Sequence, residues 1–140
     1  MEYAIIGEKL GHSFSKEIYT TYFGMDYDVK ELTMPGLDDF LIKKDFKGIN
    51  VTIPYKQTVI PYLDEISDVA KKIGAVNVIV NDNGKLKGYN TDFLGLKSNI
   101  EHAGINLKGK NVLILGDGGT SKNAYAVAET LGSTESEPAC

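Results

Sequence analysis

Short apolar runs alternate with amphipathic stretches through the first hundred residues, the pattern of an α/β layered fold. The runs Tyr3 to Ile6, Tyr27 to Leu32, Gly48 to Thr52 and Ala75 to Asn81 predict strands. Lys85 to Tyr89 predicts a hairpin partner for the last of these, reached through the turn Asp82-Asn83-Gly84, because Asn-Gly readily takes the positive φ of a tight hairpin. Helices fall between the strands. Ser13 to Phe23 opens on a serine that can cap and carries Phe14, Ile18, Tyr19 and Tyr22 at helical spacing. Leu37 to Lys44 predicts a short second helix, and a third is expected to start near Tyr55, just after Pro54. Thr91 to Ala103 places Phe93, Leu94, Leu96 and Ile100 at helical spacing and stops at Gly104.

The pattern changes after the polar segment Asn106 to Lys110. A buried strand, Asn111 to Leu115, a glycine cluster and an alanine-rich helix from Ser121 to Leu131 make one βα unit. One such unit cannot cover both faces of a parallel sheet, so a second domain is expected to be incomplete. The expected domains are 1–103 and 104–140, and the last nine residues, GSTESEPAC, are read as a tail from about position 132. On this reading the strand Val112 to Leu115 lacks a neighbour, and an unpaired apolar edge invites self-association.

Composition narrows the partners. With 42% hydrophobic and 24% charged residues in 140, the chain can bury a proper core. A formal charge of −4 argues against a nucleic-acid surface and towards a small molecule or a protein. Apolar runs are too short to span a bilayer and the start lacks the layout of a signal peptide, so a cytoplasmic protein without membrane contact is expected. The one cysteine, Cys140, and the two histidines, His12 and His102, offer no internal disulfide and no metal-ligand spacing.

Four segments carry candidate chemistry. Gly116-Asp117-Gly118-Gly119-Thr120-Ser121 lies between strand and helix, as a dinucleotide phosphate loop requires; the alternative is a glycine-rich turn with no ligand. Asp117 is the awkward member, a carboxylate beside the expected phosphates. Asn50 and Thr52 are two apart on a strand, so both side chains project from one face, where a purely structural strand would carry apolar residues. Lys56 follows Pro54 at an expected helix start, an unfavourable end for a cation that would depress its pKa and suit it to acid–base work; the plain alternative is a solvated lysine. Asn90, Thr91 and Asp92 can cap the helix they precede. Ser13 and Ser15 place two hydroxyls near a strand end, where they can hold a polyol or a carboxylate.

In this order the motifs are Ile5-x-Gly7 with His12-Ser13-x-Ser15, then Asn50-Val-Thr-Ile-Pro-Tyr-Lys56, Gly74-Ala-Val-Asn77, Gly88-Tyr-Asn-Thr-Asp92 and Gly116-x-Gly118-Gly119. Together they resemble the shikimate dehydrogenase family from Tyr3 to Leu131. The resemblance implies an N-terminal α/β substrate domain followed by the first βα unit of a truncated Rossmann-type domain that binds NADP, with the active site between domains. It implies reversible, NADP-dependent oxidation of shikimate to 3-dehydroshikimate, a step towards chorismate and the aromatic amino acids. By position, Ser13 and Ser15 resemble the serines that hold the substrate carboxylate. Asn50, Thr52, Asn77 and Asp92 resemble the groups that read its hydroxyls, and Lys56 with Asp92 the catalytic pair. Asp68 falls where the family often has an acidic residue near the nicotinamide, and Gly116, Asp117, Gly118, Gly119, Thr120 and Ser121 on the phosphate loop. Two rivals stand beside this: a quinate or quinate/shikimate dehydrogenase, and a non-catalytic polyol-binding module. The chain itself is expected to be inactive if the remaining cofactor-binding strands are absent.

Overall fold

A computed structural model describes residues 1–139; Cys140 lies outside them, and no side chain beyond Thr134 is described. The chain divides into two compact units, 1–89 and 90–140. The first is built on a six-stranded mixed sheet. Strand β1 (Tyr3–Gly7) runs parallel to both β2 (Tyr27–Glu31) and β3 (Gly48–Val51). Helix α1 (Ser15–Phe23) joins β1 to β2, and α2 (Met34–Lys43) joins β2 to β3. Beyond β3 the sheet turns antiparallel through the hairpin of β5 (Val78–Asp82) and β6 (Lys85–Tyr89), and the short β4 (Glu65–Ile66) pairs with β6 at the far edge. Helix α3 (Asp68–Ile73) leads into β5.

The two-residue period of the strands sorts their side chains onto two cores. Ala4, Ile6, Ile49, Val51, Ile79 and Leu86 pack with Leu37 and Leu41, which lie four apart on the inner face of α2. Ile5, Leu10 and Tyr27 make a smaller cluster with Tyr3, Tyr19, Met25 and Val29 on the other face. The hairpin turn forms as its sequence predicts: Asn83 and Gly84 take φ of 52° and 91°, and Asn81 Oδ1 accepts the Gly84 N–H.

Several expectations need correction. The apolar stripe of α1 does not face the core: Phe14, Ile18 and Tyr22 are exposed, and only Tyr19 reaches the sheet, where it stacks on Tyr27 with ring centroids 4.6 Å apart. No regular helix starts near Tyr55; residues 53–59 form successive turns that end in a single 3₁₀ turn, Ile60–Tyr62. Pro61 supplies the reason. It has no N–H to give the Gln57 carbonyl, which accepts from the Ile60 N–H at 3.2 Å instead.

The second unit starts at Asn90, so α4 (Thr91–His102), which the sequence reading keeps with the first domain, belongs to it and packs on α5 (Gly119–Thr130). The segment read as a tail is a strand. β8 (Glu135–Ala139) pairs in parallel with β7 (Asn111–Leu115), so that strand has a neighbour within its own unit. Gly132, at φ 86°, ends α5 and turns the chain back; its carbonyl accepts the Gly109 N–H, and the Thr134 N–H reaches the Lys110 carbonyl. Composition hid this strand because the ladder satisfies main-chain groups whatever the side chains. Each strand of the pair keeps one unpaired edge among the described residues, and Leu113 and Leu115 are exposed.

Candidate functional site

The C-terminal end of β3 gathers most of the first unit's polar candidates. Asn50 lies beside Ile5 in the register, on the sheet face of the smaller core, and is half-buried. The Thr52 N–H extends the β1 ladder to the Ile6 carbonyl. Gly7 lies against this point: a Cβ there would fall 2.8 Å from Thr52 Cγ2, 2.9 Å from Leu10 Cδ2 and 3.2 Å from the Ile53 carbonyl oxygen. Only glycine allows so close an approach.

Lys56 is held by its neighbours. Tyr55 is 2% exposed and donates its hydroxyl to the Leu32 carbonyl, while Val59 is fully buried and gives its N–H to the Tyr55 carbonyl. Between these anchors Lys56 is half-buried. Its carbonyl accepts the Val76 N–H at 2.7 Å, and next along the chain the Asn77 carbonyl accepts the Val51 N–H at 2.8 Å. Asn77, 8% exposed, donates its own N–H to Tyr89. The structure therefore brings Asn50, Thr52, Lys56 and Asn77 to one end of the sheet. The helix whose positive end was expected to disfavour the lysine's charge does not form there.

Ser15, the first residue of α1, is joined to Asn50 through Tyr27, and Ser13 lies in the loop just before it. Leu10 donates its N–H to Glu31 Oε1 and its carbonyl accepts the Ser13 N–H, which fixes the loop after β1. Ser13 does not cap α1: Phe14 holds the N-cap position, with no side-chain cap, and Ser13 Oγ accepts the Ser15 N–H at 3.3 Å. Sequence reasoning missed Tyr27. Its ring is buried, and its hydroxyl donates to Asn50 Oδ1 at 2.7 Å and is hydrogen-bonded by the Ser15 side chain. Burial, then Tyr19, pushes this phenol well above its ordinary pKa, and Ser15 pulls it back in part. The signal available was a tyrosine opening a strand otherwise rich in charge, Tyr27-Asp-Val-Lys-Glu31.

Asp68 is exposed in the first turn of α3, where Ser67 Oγ caps by accepting the Ala70 N–H; an acid there also suits the helix dipole.

In the second unit, Asn90 is the cap of α4, its side chain accepting the Phe93 N–H, and Asp92 stands half-buried in the first turn. The glycine loop fits an anionic group. Gly116 has φ of 117°, a conformation for glycine, and Gly118 and Gly119 have open space where a Cβ would stand. Packing within the chain therefore does not explain those two glycines, and they open the twelve-residue α5. Ser121 donates N–H and hydroxyl to the Gly118 carbonyl, tightening the turn, and Thr120 is exposed. Asp117 adds negative charge to the same loop. Among the described residues there is no cluster of three potential metal ligands and no helix long and apolar enough to cross a membrane.

Residues 5–79 match the family described as the shikimate dehydrogenase substrate binding domain. The chain belongs to this family. A relative from Halothermothrix orenii, Shikimate dehydrogenase (NADP(+)), is 43% identical over 141 residues, covering 94% of this chain and 48% of its own. The chain thus spans about half the length of the curated relatives it matches. Among solved structures, shikimate 5-dehydrogenase from Thermus thermophilus in complex with NADP(H) and shikimate aligns at a TM-score of 0.84 and 29% identity, covering 99% of this chain and 56% of that one. Quinate dehydrogenase from Corynebacterium glutamicum in complex with NAD aligns at 0.82 and 30%, covering 99% and 54%. The shikimate dehydrogenase family match takes in Ser13, Ser15, Asn50, Thr52, Lys56, Asp68 and Asn77, whereas Asp92 and the glycine loop lie beyond it.

Proposed function

We propose that the chain supplies the substrate-binding and proton-transferring part of an NADP-dependent shikimate dehydrogenase. The observation that carries this reading is the convergence of Asn50, Thr52, Lys56 and Asn77 at one end of the sheet, with Ser15 joined to Asn50 through Tyr27. A cyclic polyol with one carboxylate needs many positioned donors and acceptors and one group able to exchange a proton. Ser13 and Ser15 hold the carboxylate, and Asn50, Thr52 and Asn77 read ring hydroxyls. Lys56 gives a proton to the oxygen that becomes the hydroxyl when 3-dehydroshikimate is reduced, and takes it back in the reverse direction. The family's other catalytic position, which also reads a hydroxyl, falls on Asp92.

NADP, when bound, carries the hydride. Gly116, Gly118 and Gly119 would hold its pyrophosphate through main-chain N–H groups, with Thr120 and Ser121 beside them. Asp117 opposes that charge, and Asp68 is the acidic residue proposed towards the nicotinamide. The reading places the enzyme in the cytoplasm, and the acidic balance agrees with action on a small molecule. Self-association through the open edges of β7 and β8 is the partner proposal.

One observation favours a second reading. The quinate dehydrogenase in complex with NAD resembles this chain as closely as the Thermus thermophilus shikimate dehydrogenase does, at 30% against 29% identity, while the Halothermothrix orenii relative stands at 43%. Extending the chain to the length of its relatives and assaying oxidation of shikimate and quinate with NADP and NAD tests both. Preference for shikimate with NADP is expected; comparable turnover of quinate would favour the second reading, and shikimate binding without turnover a polyol-binding module.

A further inference from the structure

Asn50 can present either a carbonyl oxygen or an NH₂ group to a ligand, and the two ends of an amide select opposite partners. Its surroundings choose between them. Tyr27 opens β2 and pairs with Tyr3, while Asn50 lies on β3 beside Ile5, so the tyrosine reaches diagonally across β1 to the asparagine. The ring is wedged in the smaller core and stacked on Tyr19 at an interplanar angle of 18°, which leaves the hydroxyl little freedom. A phenol has one proton, and this one goes to Asn50 Oδ1 at 2.7 Å. Ser15 therefore meets the same oxygen as a donor, and a ligand carboxylate can take that proton by rotation of the serine hydroxyl without disturbing the Tyr27–Asn50 bond.

We propose that Tyr27 is a positioning residue of the ligand site, holding Oδ1 of Asn50 so that its Nδ2 faces the ligand as a donor. This rests on the reading of Asn50 as a shikimate contact. The ligand atom at Asn50 is then an acceptor, a hydroxyl or carboxylate oxygen. Without the Tyr27 hydroxyl the amide is free to turn, and the ordering cost returns to the binding step.

Calorimetric titration of shikimate into the 140-residue chain tests this with Tyr27→Phe, Asn50→Ala, Asn50→Asp and the double variant Tyr27→Phe/Asn50→Ala. Tyr27→Phe keeps the ring and its stacking, and thermal unfolding of each variant checks the fold. Losing one well-placed hydrogen bond should weaken shikimate binding roughly 3- to 10-fold. In the Asn50→Ala background the same change should have no further effect, since its target is gone. Asn50→Asp keeps an acceptor for Tyr27 but removes the donor, and should bind shikimate as poorly as Asn50→Ala. Equal weakening by Tyr27→Phe in both backgrounds would overturn the proposal, as the tyrosine would then act on the fold at large. So would no effect of Tyr27→Phe while Asn50→Ala weakens binding. If the unsubstituted chain fails to bind shikimate, or Asn50→Ala leaves its affinity unchanged, the reading of the site falls, and the proposal with it.

Discussion

The carbonyl of Lys56 accepts the N–H of Val76 at 2.7 Å, which ties the turn carrying the lysine to the segment carrying Asn77. Because this bond is made by the main chain, it survives any change of the lysine side chain. Lys56 can therefore be substituted without releasing the turn, and its chemical role can be separated from its structural one.

Lys56→Ala, made in a protein extended to the length of its relatives, should lower turnover by about 10²–10⁴-fold, the usual worth of a positioned proton-transfer group, with a much smaller change in shikimate affinity. Steady-state kinetics and a binding titration check this together. Turnover near that of the unsubstituted protein would return Lys56 to the solvated-lysine reading.

Gly7→Ala should damage both fold and site. The new methyl meets Thr52 Cγ2, Leu10 Cδ2 and the Ile53 carbonyl, and the last is backbone that cannot swing aside. Overpacking of this kind costs roughly 1–3 kcal/mol. Chemical denaturation should show the loss, and shikimate affinity should fall with it as Thr52 is displaced. Gly11→Ala is the control, since nothing lies within 4 Å of a Cβ there.

Much of the fold is legible in the sequence, for reasons that differ between elements. β1, β3 and the β5–β6 hairpin are announced by period-two apolar runs and an Asn-Gly turn, and both signals are local. The stretch after Pro54 misleads because a proline reads as a helix start, and one helical bond does form there, from the Val59 N–H to the Tyr55 carbonyl, but Pro61 has no N–H with which to continue the helix. The strand β8 is invisible because its pairing with β7 is a main-chain property. The site shows the same divide. Asn50, Thr52 and Lys56 are conspicuous as polar groups in an apolar stretch. Tyr27 is not, since its contact with Asn50 spans 23 positions in the chain and depends on two strand registers at once.

Asp28 gives a pH dependence. The Val29 N–H and the Lys16 and Lys30 ammonium groups hold its carboxyl down to about 2, and the Lys16 contact, at 3.2 Å, ties α1 to β2. A carboxylate depressed on folding contributes stability that is fully present above its unfolded pKa near 3.8 and is lost as the pH falls towards about 2. Asp28→Asn should therefore lower Tm slightly at neutral pH, with the difference closing between about pH 4 and pH 2. Thermal melts across that range check it; a constant difference would show that the pairing is not what Asp28 contributes. The effect should be small, because these charges are partly exposed.

The most direct test of the central claim, that the polar end of β3 is a shikimate site, is calorimetric titration of shikimate into the chain and its Thr52→Val variant. Valine keeps the methyl that packs beside Gly7 and replaces the hydroxyl with a second methyl of similar size. Saturable binding by the unsubstituted chain, weakened at least several-fold by Thr52→Val with Tm unchanged, is the expected result. Equal binding by both proteins, or none by either, would contradict it.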